Sequence, residues 1–399
     1  MLHELYCRTF QKGFKLASKV MTYREPELLE GENSLARLPA RIRQQVNHVL
    51  VVTDKGLMTA GLVLPFLEKL TSEGVSFTLY DDTVANPTIQ NIEEAYALYN
   101  EHSCEGIVAF GGGSPMDCAK GVAACVARPN LTIPQMKGVL KVRKNMPPFF
   151  AIPTTSGTGS EATVAAVISD SQTHEKYAIM DPVLVPHVAV LDPLLTVNLP
   201  PFVTATTGMD ALTHAVEAYI GKSNTAETLR ASEEAVQLIF DNLYETYIHP
   251  ENLQARANMQ RASYVAGFAF TRAFVGNVHS IAHTLGGYYG IPHGLANAVL
   301  LPYLLNFYGE TVHTPLAKLA ALVSIGDDHD SDAVRAKKFI EAIQQLNADM
   351  NIPTKLKGIQ NRDIPVMVKR ALAESNPLYP VPKIMNESEM HYIYQLVKE

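Results

Sequence analysis

The sequence predicts an α/β domain built on a parallel β-sheet, followed by an all-α domain. Between Val46 and residue 197, short apolar runs alternate with amphipathic helical segments, a pattern typical of a parallel sheet with both faces covered. Beyond Pro200 the strand-like runs stop and helical periodicity continues to the C-terminus. We therefore divide the chain into an N-terminal arm (1–27), an α/β domain with a Rossmann-like variant fold (28–197) and an all-helical domain (198–399).

The strands and helices of the α/β domain follow from these runs. A run that is apolar throughout and four to eight residues long predicts a buried strand. Predicted strands lie at 47–54, 75–81, 106–110, 147–153, 165–170, 176–180 and 187–193. The first two helices are predicted at 57–74, which ends on a glycine, and at 86–104, which opens on Asn86 and Pro87.

The C-terminal domain contains helical patterns throughout. Helices are predicted at 202–221, 225–247, 251–273, 278–287, 293–307, 312–325, 331–347 and 362–375. The acidic stretch 327–332 lacks the glycine and glutamate positions of an EF-hand loop, so we expect a solvated loop in which Ser331 caps the next helix.

A glycine loop follows the strand at 106–110. In the sequence GGGSPMD, Ser114 is a suitable N-cap, Pro115 fits a first helical turn and Asp117 would complete a capping box. The glycines before this cap allow backbone N–H groups to hold an anion, and a pyrophosphate is the predicted one. These residues are Gly111, Gly112 and Gly113. Because GGGSPM is not G-x-G-x-x-G, an ordinary glycine-rich turn is the alternative.

Two further strand ends carry candidate cofactor residues. Asp54 ends the first strand, where a carboxylate can bind ribose hydroxyls and repel a 2′-phosphate, which favours NAD over NADP. Asp54 precedes the glycine loop, unlike the acid of the usual fingerprint, so a turn residue is the alternative. After the strand at 147–153, a hydroxyl-rich loop contains Thr154, Thr155 and Thr158 and suits a phosphate, although such loops are also ordinary connections. Lys176 is the base best placed to meet phosphate or ribose.

The helical domain contains a cluster of metal-ligating residue types. Asp210 and His214 lie four residues apart and share one helix face, and His279 and His283 repeat that spacing. His293 follows after a glycine-rich turn. A single Asp/His pair of this kind is usually a capping or surface pair. Here the surrounding segments are almost uncharged and suggest burial, where such groups must be paired or ligating, and the set suits Zn or Fe.

Composition excludes several other functions. The 399 residues are 47% hydrophobic and 18% charged, as in a folded globular protein, and the net charge of −7 argues against nucleic-acid binding. No apolar run is long enough to span a membrane, and residues 1–30 lack the apolar core of a secretory signal. Four cysteines without metal-type spacing suit reduced thiols in the cytoplasm. The N-terminal residues predict a basic amphipathic helix. It lies on a membrane, serves as a targeting segment or, as we favour, packs on its own protein or on a sister subunit.

Taken together, the motifs resemble the iron-containing, group III alcohol dehydrogenase family. The resemblance rests on GGGSPMD (111–117), PTTSGTGSE (153–161), TGMDALTHAVEAY (207–219) and VHSIAHTLGGYYGIPHGLANA (278–298), in that order, and extends from about residue 28 to the end. It implies a dehydroquinate synthase-like architecture, with a dinucleotide-binding α/β domain and a helical metal-binding domain. The longer N-terminal arm departs from many members.

The resemblance also assigns roles to individual residues. It implies that Asp210, His214, His279 and His293 ligate the metal, and that His283 is a non-ligand catalytic histidine near nicotinamide and substrate. The positions that it matches to cofactor contacts are Asp54, Asn86, Gly111, Gly112, Gly113, Thr154, Thr155, Thr158 and Lys176, and Ser114 and Asp117 complete the predicted set from the same loop.

The expected activity is reversible hydride transfer between a small primary alcohol or aldehyde and NAD(H), with Fe²⁺ as the metal and Zn²⁺ as the alternative. The aromatic residues Phe268, Phe270, Phe274 and Tyr289 favour an apolar substrate, unless they serve only in helix packing.

A dehydroquinate synthase-like lyase that uses NAD and metal is the alternative function. It is disfavoured because its anionic substrate needs lysines and arginines that these motifs lack. A non-enzymatic nucleotide sensor is a weaker alternative. We expect a cytoplasmic homodimer or higher homo-oligomer.

Overall fold

The computed structural model describes residues 2–18 and 23–399. The chain divides into two compact units. The α/β unit comprises the described residues from 22 to 199 together with 251–260, and the helical unit comprises the N-terminal helix, 200–250 and 261–399.

The α/β unit is built on two β-sheets. Their strands are β1 (Glu27–Glu30), β2 (His48–Val52), β3 (Ser76–Tyr80), β4 (Gly106–Gly111), β5 (Gly138–Val139), β6 (Phe149–Pro153), β7 (Ala165–Asp170), β8 (Glu175–Met180) and β9 (Val188–Leu191). The larger, six-stranded sheet has the order β1-β9-β6-β4-β2-β3, and each neighbouring pair is parallel. The second, three-stranded sheet has the order β5-β8-β7, with β7 and β8 antiparallel. The predicted parallel sheet is confirmed, but residues 165–180 form a separate hairpin instead of joining it.

Helices cover both faces of the larger sheet. They are α2 (Leu38–Arg43), α3 (Lys55–Thr59), α4 (Leu64–Ser72), α5 (Ile89–Glu101) and α6 (Gly113–Ala127). The central strands β2, β4 and β6 are buried along nearly their whole length, because apolar side chains on each face pack into one of two separate cores. The helix predicted at 57–74 is wrong as a single element: it breaks into α3 and α4 at Gly61, whose φ is +73°.

The strand order reverses between β2 and β4. From β2 the chain steps outward to β3 and then returns to β4 on the other side of β2. In open parallel sheets a ligand crevice forms at the carboxyl ends of the strands at such a point. Asp54 lies two residues after β2 and Gly112 directly follows β4, and both were predicted as cofactor residues from the sequence.

The helical unit contains α1 (Leu2–Ser18), α7 (Pro201–Ile220), α8 (Ala226–Ile248), the second half of α9 (Leu253–Ala273), α10 (Asn277–Tyr289), α11 (His293–Tyr308), α12 (His313–Leu322), α13 (Asp332–Asp349), α14 (Ile364–Ser375) and α15 (Glu387–Val397). The eight predicted helices are confirmed, with ends shifted by at most three residues. The sequence prediction missed α15, although Asn386 and Glu389 form a capping box at its start. None of the helices in the described part of the chain is long and apolar enough to cross a membrane.

The N-terminal helix α1 packs on its own chain, as predicted, but with an unexpected face. Cys7 and Gln11 are buried, whereas Leu2, Leu5 and Leu16 are 82%, 63% and 66% exposed. The side of α1 that faces the protein therefore combines Gln11 with Cys7 and with Phe14, whose ring packs on that of Phe274 at 5.3 Å, while several other apolar residues face outward.

Candidate functional site

Three helices of the helical unit carry the predicted metal ligands. Asp210 and His214 lie on α7, His279 and His283 on α10, and His293 is the first residue of α11. Because α7 is buried along most of its length, Asp210 and His214 are only 2% and 4% exposed. The two pairs at four-residue spacing share a helix face, as the sequence predicted.

Asp210, His279 and His293 converge. One ligand atom from each lies within 4.8 Å of the others. The Oδ1 atom of Asp210 is 3.8 Å from Nε2 of His279 and 3.6 Å from Nε2 of His293. Donor atoms of a tetrahedral site with bonds of about 2.0–2.2 Å lie about 3.3–3.6 Å apart. One hard oxygen and two imidazole nitrogens at this spacing fit a divalent transition metal.

Glu217 fixes the orientation of one of these imidazoles. Its carboxylate accepts hydrogen bonds from the backbone N–H groups of Gly276 and Val278, both at 2.8 Å, and lies 2.7 Å from Nδ1 of His279. Burial raises the pKa of Glu217 to about 7, and the backbone donors oppose that rise. With Nδ1 committed to Glu217, the Nε2 lone pair of His279 points to Asp210 and His293, the arrangement that metal-binding histidines usually have.

The side-chain amide of Asn297 lies among the three candidate donors. Its Nδ2 atom donates to Oδ1 of Asp210 at 2.6 Å and lies 3.2 Å from Nε2 of both His279 and His293. An amide NH₂ group has two hydrogens, so it satisfies at most two of three acceptors. The converging atoms are therefore electron-pair donors that a cation would satisfy better than a neutral amide.

His214 is placed differently from the other predicted ligands. Its ring stacks on that of His279, with centroids 4.4 Å apart, and on Phe270 at 4.2 Å. It lies outside the group of three whose ligand atoms approach one another. His214 is thus next to the site, and its role as a fourth ligand stays a prediction.

His283 is oriented by a second carboxylate. Its Nδ1 atom lies 2.7 Å from Oε1 of Glu374, which also accepts a hydrogen bond from the hydroxyl of Tyr379 at 2.8 Å. The ring of His283 stacks on that of His293 at 5.1 Å. His283 is therefore held beside the group of three, with its Nε2 atom not used in this bond.

In the α/β unit, the glycine loop differs from the prediction at its cap. Helix α6 begins at Gly113 with Gly112 at the N-cap, so the prediction that Ser114 is the N-cap is wrong. The hydroxyl of Ser114 instead accepts the backbone N–H of Asn86 at 3.2 Å. Lys176 in turn donates to the side-chain oxygen of Asn86 at 2.8 Å. Three predicted cofactor residues therefore form one hydrogen-bonded group.

The glycine loop and the threonine loop contact each other at the ends of β4 and β6. A Cβ atom on Gly112 would lie 3.1 Å from Oγ1 of Thr155, and one on Gly113 would lie 2.7 Å from Cγ2 of Thr158. The backbone N–H of Thr154 also donates to the carbonyl of Gly111 at 3.2 Å. Any larger residue would separate the loops, so the glycines create a backbone-lined edge where an anion can approach the start of α6.

Asp54 and Asp117 have local structural roles. Asp54 is the N-cap of α3, where its Oδ1 accepts the backbone N–H of Leu57 at 2.9 Å, as the turn-residue alternative anticipated. The prediction of a capping box that includes Asp117 is wrong, since α6 starts earlier. The carboxylate of Asp117 accepts the hydroxyl hydrogen of Ser160 at 3.2 Å, and burial raises its pKa to about 6. Cofactor contact by these two residues stays a prediction.

Lys120, which the sequence prediction did not select, is buried beneath the threonine loop. Its ammonium lies within 3.0 Å of four oxygens, belonging to Ser160, Thr163 and Ala165. It is 0% exposed, and burial lowers its pKa to about 8 despite the nearby Asp117 and Glu161 carboxylates. Lys120 thus joins α6 to the loop that follows β6.

The sequence contained signals for other missed residues. Glu217 lies seven residues after Asp210 and three after His214, on the same face of an otherwise uncharged helix. Asn297 lies four residues after His293, the spacing that had already identified two other pairs. Glu374 lies 91 residues from His283, so no local pattern could have connected them.

A parallel sheet with a glycine loop at its switch point and a helical unit with a converging carboxylate and imidazoles are the features of a metal-dependent dehydrogenase. Comparison with known proteins agrees. The model of the iron-containing alcohol dehydrogenase family matches residues 26–193, and the model of the C-terminal region of the Fe-containing alcohol dehydrogenase family matches residues 204–397. This chain belongs to the iron-containing alcohol dehydrogenase family.

Individual relatives and solved structures support the assignment. The 1,3-propanediol dehydrogenase of Klebsiella pneumoniae is 39% identical over 350 residues, covering 87% of this chain and 90% of the relative. The lactaldehyde reductase of Escherichia coli K12 is 33% identical, covering 83% of this chain and 87% of the relative. A crystal structure of 1,3-propanediol oxidoreductase superposes with a TM-score of 0.89 at 36% identity, covering 94% and 99% of the two chains. An alcohol dehydrogenase from Oenococcus oeni gives 0.90 at 32% identity, covering 95% and 100%.

These findings establish an activity class. The chain is a metal-dependent alcohol dehydrogenase of the NAD-dependent, iron-containing type. The relatives are named as dehydrogenases and reductases, which does not support the alternative of a lyase.

Proposed function

We propose that the enzyme oxidises small unbranched primary alcohols with NAD, and reduces the aldehydes in reverse, at a divalent metal held by Asp210, His214, His279 and His293. The main support for this proposal is the convergence of Asp210 Oδ1 with the Nε2 atoms of His279 and His293. A divalent metal held there would supply Lewis-acid chemistry that lowers the pKa of an alcohol hydroxyl, and a bound nicotinamide would supply the hydride acceptor.

The residues of the chain contribute orientation and proton transfer. Glu217 keeps Nε2 of His279 available as a donor by binding Nδ1. His283 gives its Nδ1–H to Glu374, so its Nε2 is free to accept the proton that the alcohol loses and pass it to solvent. Phe270, stacked on His214, provides an apolar surface that favours carbon chains over polyhydroxylated substrates.

The glycine loop, the threonine loop and the group of Asn86, Ser114 and Lys176 would bind the dinucleotide. The backbone N–H groups at the start of α6 suit the pyrophosphate, and Lys176 suits phosphate or ribose oxygens. We infer a preference for NAD over NADP because the Asp54 carboxylate would repel a 2′-phosphate. A sulfoacetaldehyde reductase that is 27% identical was crystallised with NAD⁺, whereas one relative is named an NADPH-dependent butanol dehydrogenase.

Fe²⁺ is the proposed metal, and Zn²⁺ is the alternative. The family name supports iron. An N/O site binds zinc more tightly than ferrous iron on intrinsic affinity, so iron occupancy depends on metal supply in the cell. We also propose a cytoplasmic homodimer or higher homo-oligomer. The four buried cysteines are free thiols, as a reducing compartment would maintain them.

The test combines metal analysis with turnover. Protein purified without added metal is analysed for its elements, stripped with a chelator and refilled with Fe²⁺ or Zn²⁺. NADH formation is then measured with a series of short primary alcohols, and NAD is compared with NADP.

The Asp210→Asn variant should lose the metal and about 10²- to 10³-fold in kcat/KM. Asp241→Asn, at an exposed position on α8, is the matched control. Full activity and metal content in Asp210→Asn would contradict the proposal.

A further inference from the structure

Residues 377–382 (PLYPVP) form an irregular segment after α14. Three of its six residues are prolines, which lack an N–H and interrupt both helices and strand ladders. The carbonyl groups of such a segment need donors from elsewhere in the protein. One is bound by the backbone N–H of Lys222, which donates to Pro380 at 2.7 Å. Four of the other carbonyl groups accept hydrogen bonds from side chains of α1.

Gln11 of α1 is buried against this segment. Its side-chain NH₂ donates to the carbonyl of Tyr379 at 2.7 Å and to that of Pro377 at 3.2 Å. Gln11 is only 5% exposed. Since a buried amide or carbonyl group without a partner is unfavourable, these bonds fix the segment relative to α1.

Arg8, one turn earlier on α1, extends the contact. Its guanidinium donates to the carbonyls of Val381 at 2.7 Å and Pro382 at 3.0 Å, and also to the side-chain oxygen of Gln11 at 3.0 Å. The two side chains therefore bind four of the six carbonyls in the segment. An N-terminal helix with no established role has a specific partner within its own chain.

The segment connects α1 to His283. The main chain of Tyr379 is held by Gln11, and its hydroxyl donates to Oε1 of Glu374 at 2.8 Å. The same oxygen lies 2.7 Å from Nδ1 of His283. Tyr379 is 4% exposed and His283 is 7% exposed, so water competes little for these bonds.

We propose that α1 is a brace for the active site: Gln11 holds the 377–382 segment so that Tyr379 and Glu374 keep the His283 ring in one orientation and in its Nδ1–H tautomer. Gln11, Tyr379 and Glu374 are positioning residues, since they act through His283. This proposal rests on the proposed role of His283 in proton transfer, because only that role makes its tautomer important for turnover.

The first test measures the tautomer without any turnover. Zinc-loaded enzyme labelled with ¹⁵N-histidine is examined by NMR, and His283→Asn identifies the His283 signals by their loss. Wild type should show the Nδ1–H tautomer alone. In Glu374→Gln, the side-chain amide can either accept from Nδ1 or donate to it, so both tautomers should be populated. An unchanged His283 spectrum in Glu374→Gln would overturn the proposal, whether or not the enzyme oxidises alcohols.

The second test is a double-mutant cycle on kcat. Gln11→Met keeps the length of the side chain but removes its donors, and it should lower kcat about 3- to 10-fold while metal content and alcohol KM stay within about twofold. The control Leu5→Ala, on the exposed face of α1, should leave kcat unchanged. In a Glu374→Gln background, Gln11→Met should have little further effect, because the two residues act along one path.

Each outcome of the cycle is decisive. A Gln11→Met effect of equal size in both backgrounds, or no effect in either, overturns the proposal. If Gln11→Met does not fold, Arg8→Met replaces it in the same cycle, since it removes the other α1 donors to the segment, those to Val381 and Pro382. Wild-type turnover is measured alongside, so absence of alcohol-dependent NADH formation counts against the proposed function and not against the brace.

Discussion

The two units handle buried charge in opposite ways. In the α/β unit, the buried cation is the ammonium group of Lys120, which donates hydrogen bonds to four oxygen atoms of the chain. In the helical unit, Asp210, His279 and His293 bring electron-pair donors together around the neutral amide of Asn297. The first arrangement is complete within the chain and serves the fold. Under the proposed function, a cation from outside the chain would complete the second arrangement, and this would distinguish a binding site from a structural ion cluster.

The strongest test of this contrast is Lys120→Met. Removing the ammonium leaves several carbonyls and the buried Asp117 and Glu161 without their cation, so we expect a loss of about 3–5 kcal/mol in the free energy of unfolding. Chemical denaturation followed by circular dichroism measures it. Lys137→Met, which removes an exposed ion pair with Glu175, is the control and should cost under about 1 kcal/mol. Equal stability of the two variants would show that Lys120 is not a structural cation.

Glu217→Gln tests the proposed metal centre of the helical unit. It weakens the support of His279 without removing a ligand, so metal affinity should fall about 10- to 100-fold while the fold remains intact. Competition with a chromogenic chelator gives the dissociation constant. Glu234→Gln, at an exposed position on α8 that pairs with Arg261, provides the comparison. Unchanged metal affinity in Glu217→Gln would separate Glu217 from the metal centre.

Gly113→Ala tests whether the close packing of the glycine loop against the threonine loop is needed for NAD(H) binding by the α/β unit. The added methyl group would lie 2.7 Å from Cγ2 of Thr158 and force the two loops apart. NAD(H) affinity should fall about tenfold, with metal content unchanged, as measured by NADH fluorescence titration. Gly13→Ala, at a helical position where a Cβ meets nothing within 4 Å, is the matched substitution. Normal NADH binding in Gly113→Ala would place the dinucleotide elsewhere.

The smallest expected effect concerns His187, a partly buried histidine near the guanidinium of Arg24. Burial, and secondarily Arg24, lowers the pKa of His187 from 6.5 to about 4. The unfolded chain therefore binds an extra proton between about pH 4 and 6.5, so the stability from neutral His187 is present above pH 6.5 and lost as the pH falls to 4. We expect about 1 kcal/mol after solvent screening, measured as the difference in unfolding free energy between wild type and His187→Asn across this range. If the unfolding free energies of wild type and His187→Asn change with pH in parallel, this expectation is wrong.

The sequence predicted those parts of the molecule that depend on local periodicity. The parallel sheet followed from apolar runs, and α7 and α10 followed from helical spacing, which also placed Asp210 near His214 and His279 near His283. The predicted cap of α6 was wrong: the helix begins at Gly113, which lies tightly against Thr158, a contact that is distant in sequence and that no local pattern reveals. The Glu374–His283 bond and the contacts through which α1 docks on 377–382 were beyond prediction for the same reason.

The packing of α1 has a thermodynamic consequence. Because Leu2, Leu5 and Leu16 are already in water, undocking this helix newly exposes apolar surface mainly at Cys7 and at the Phe14–Phe274 contact, while it breaks the polar contacts of Arg8, Gln11 and Lys15. The heat-capacity change of that step should be small, with enthalpy rather than solvent entropy opposing release. Detachment of α1 then becomes easier on warming well before the cores of either unit melt, and it would precede global unfolding as a separate, shallow calorimetric event.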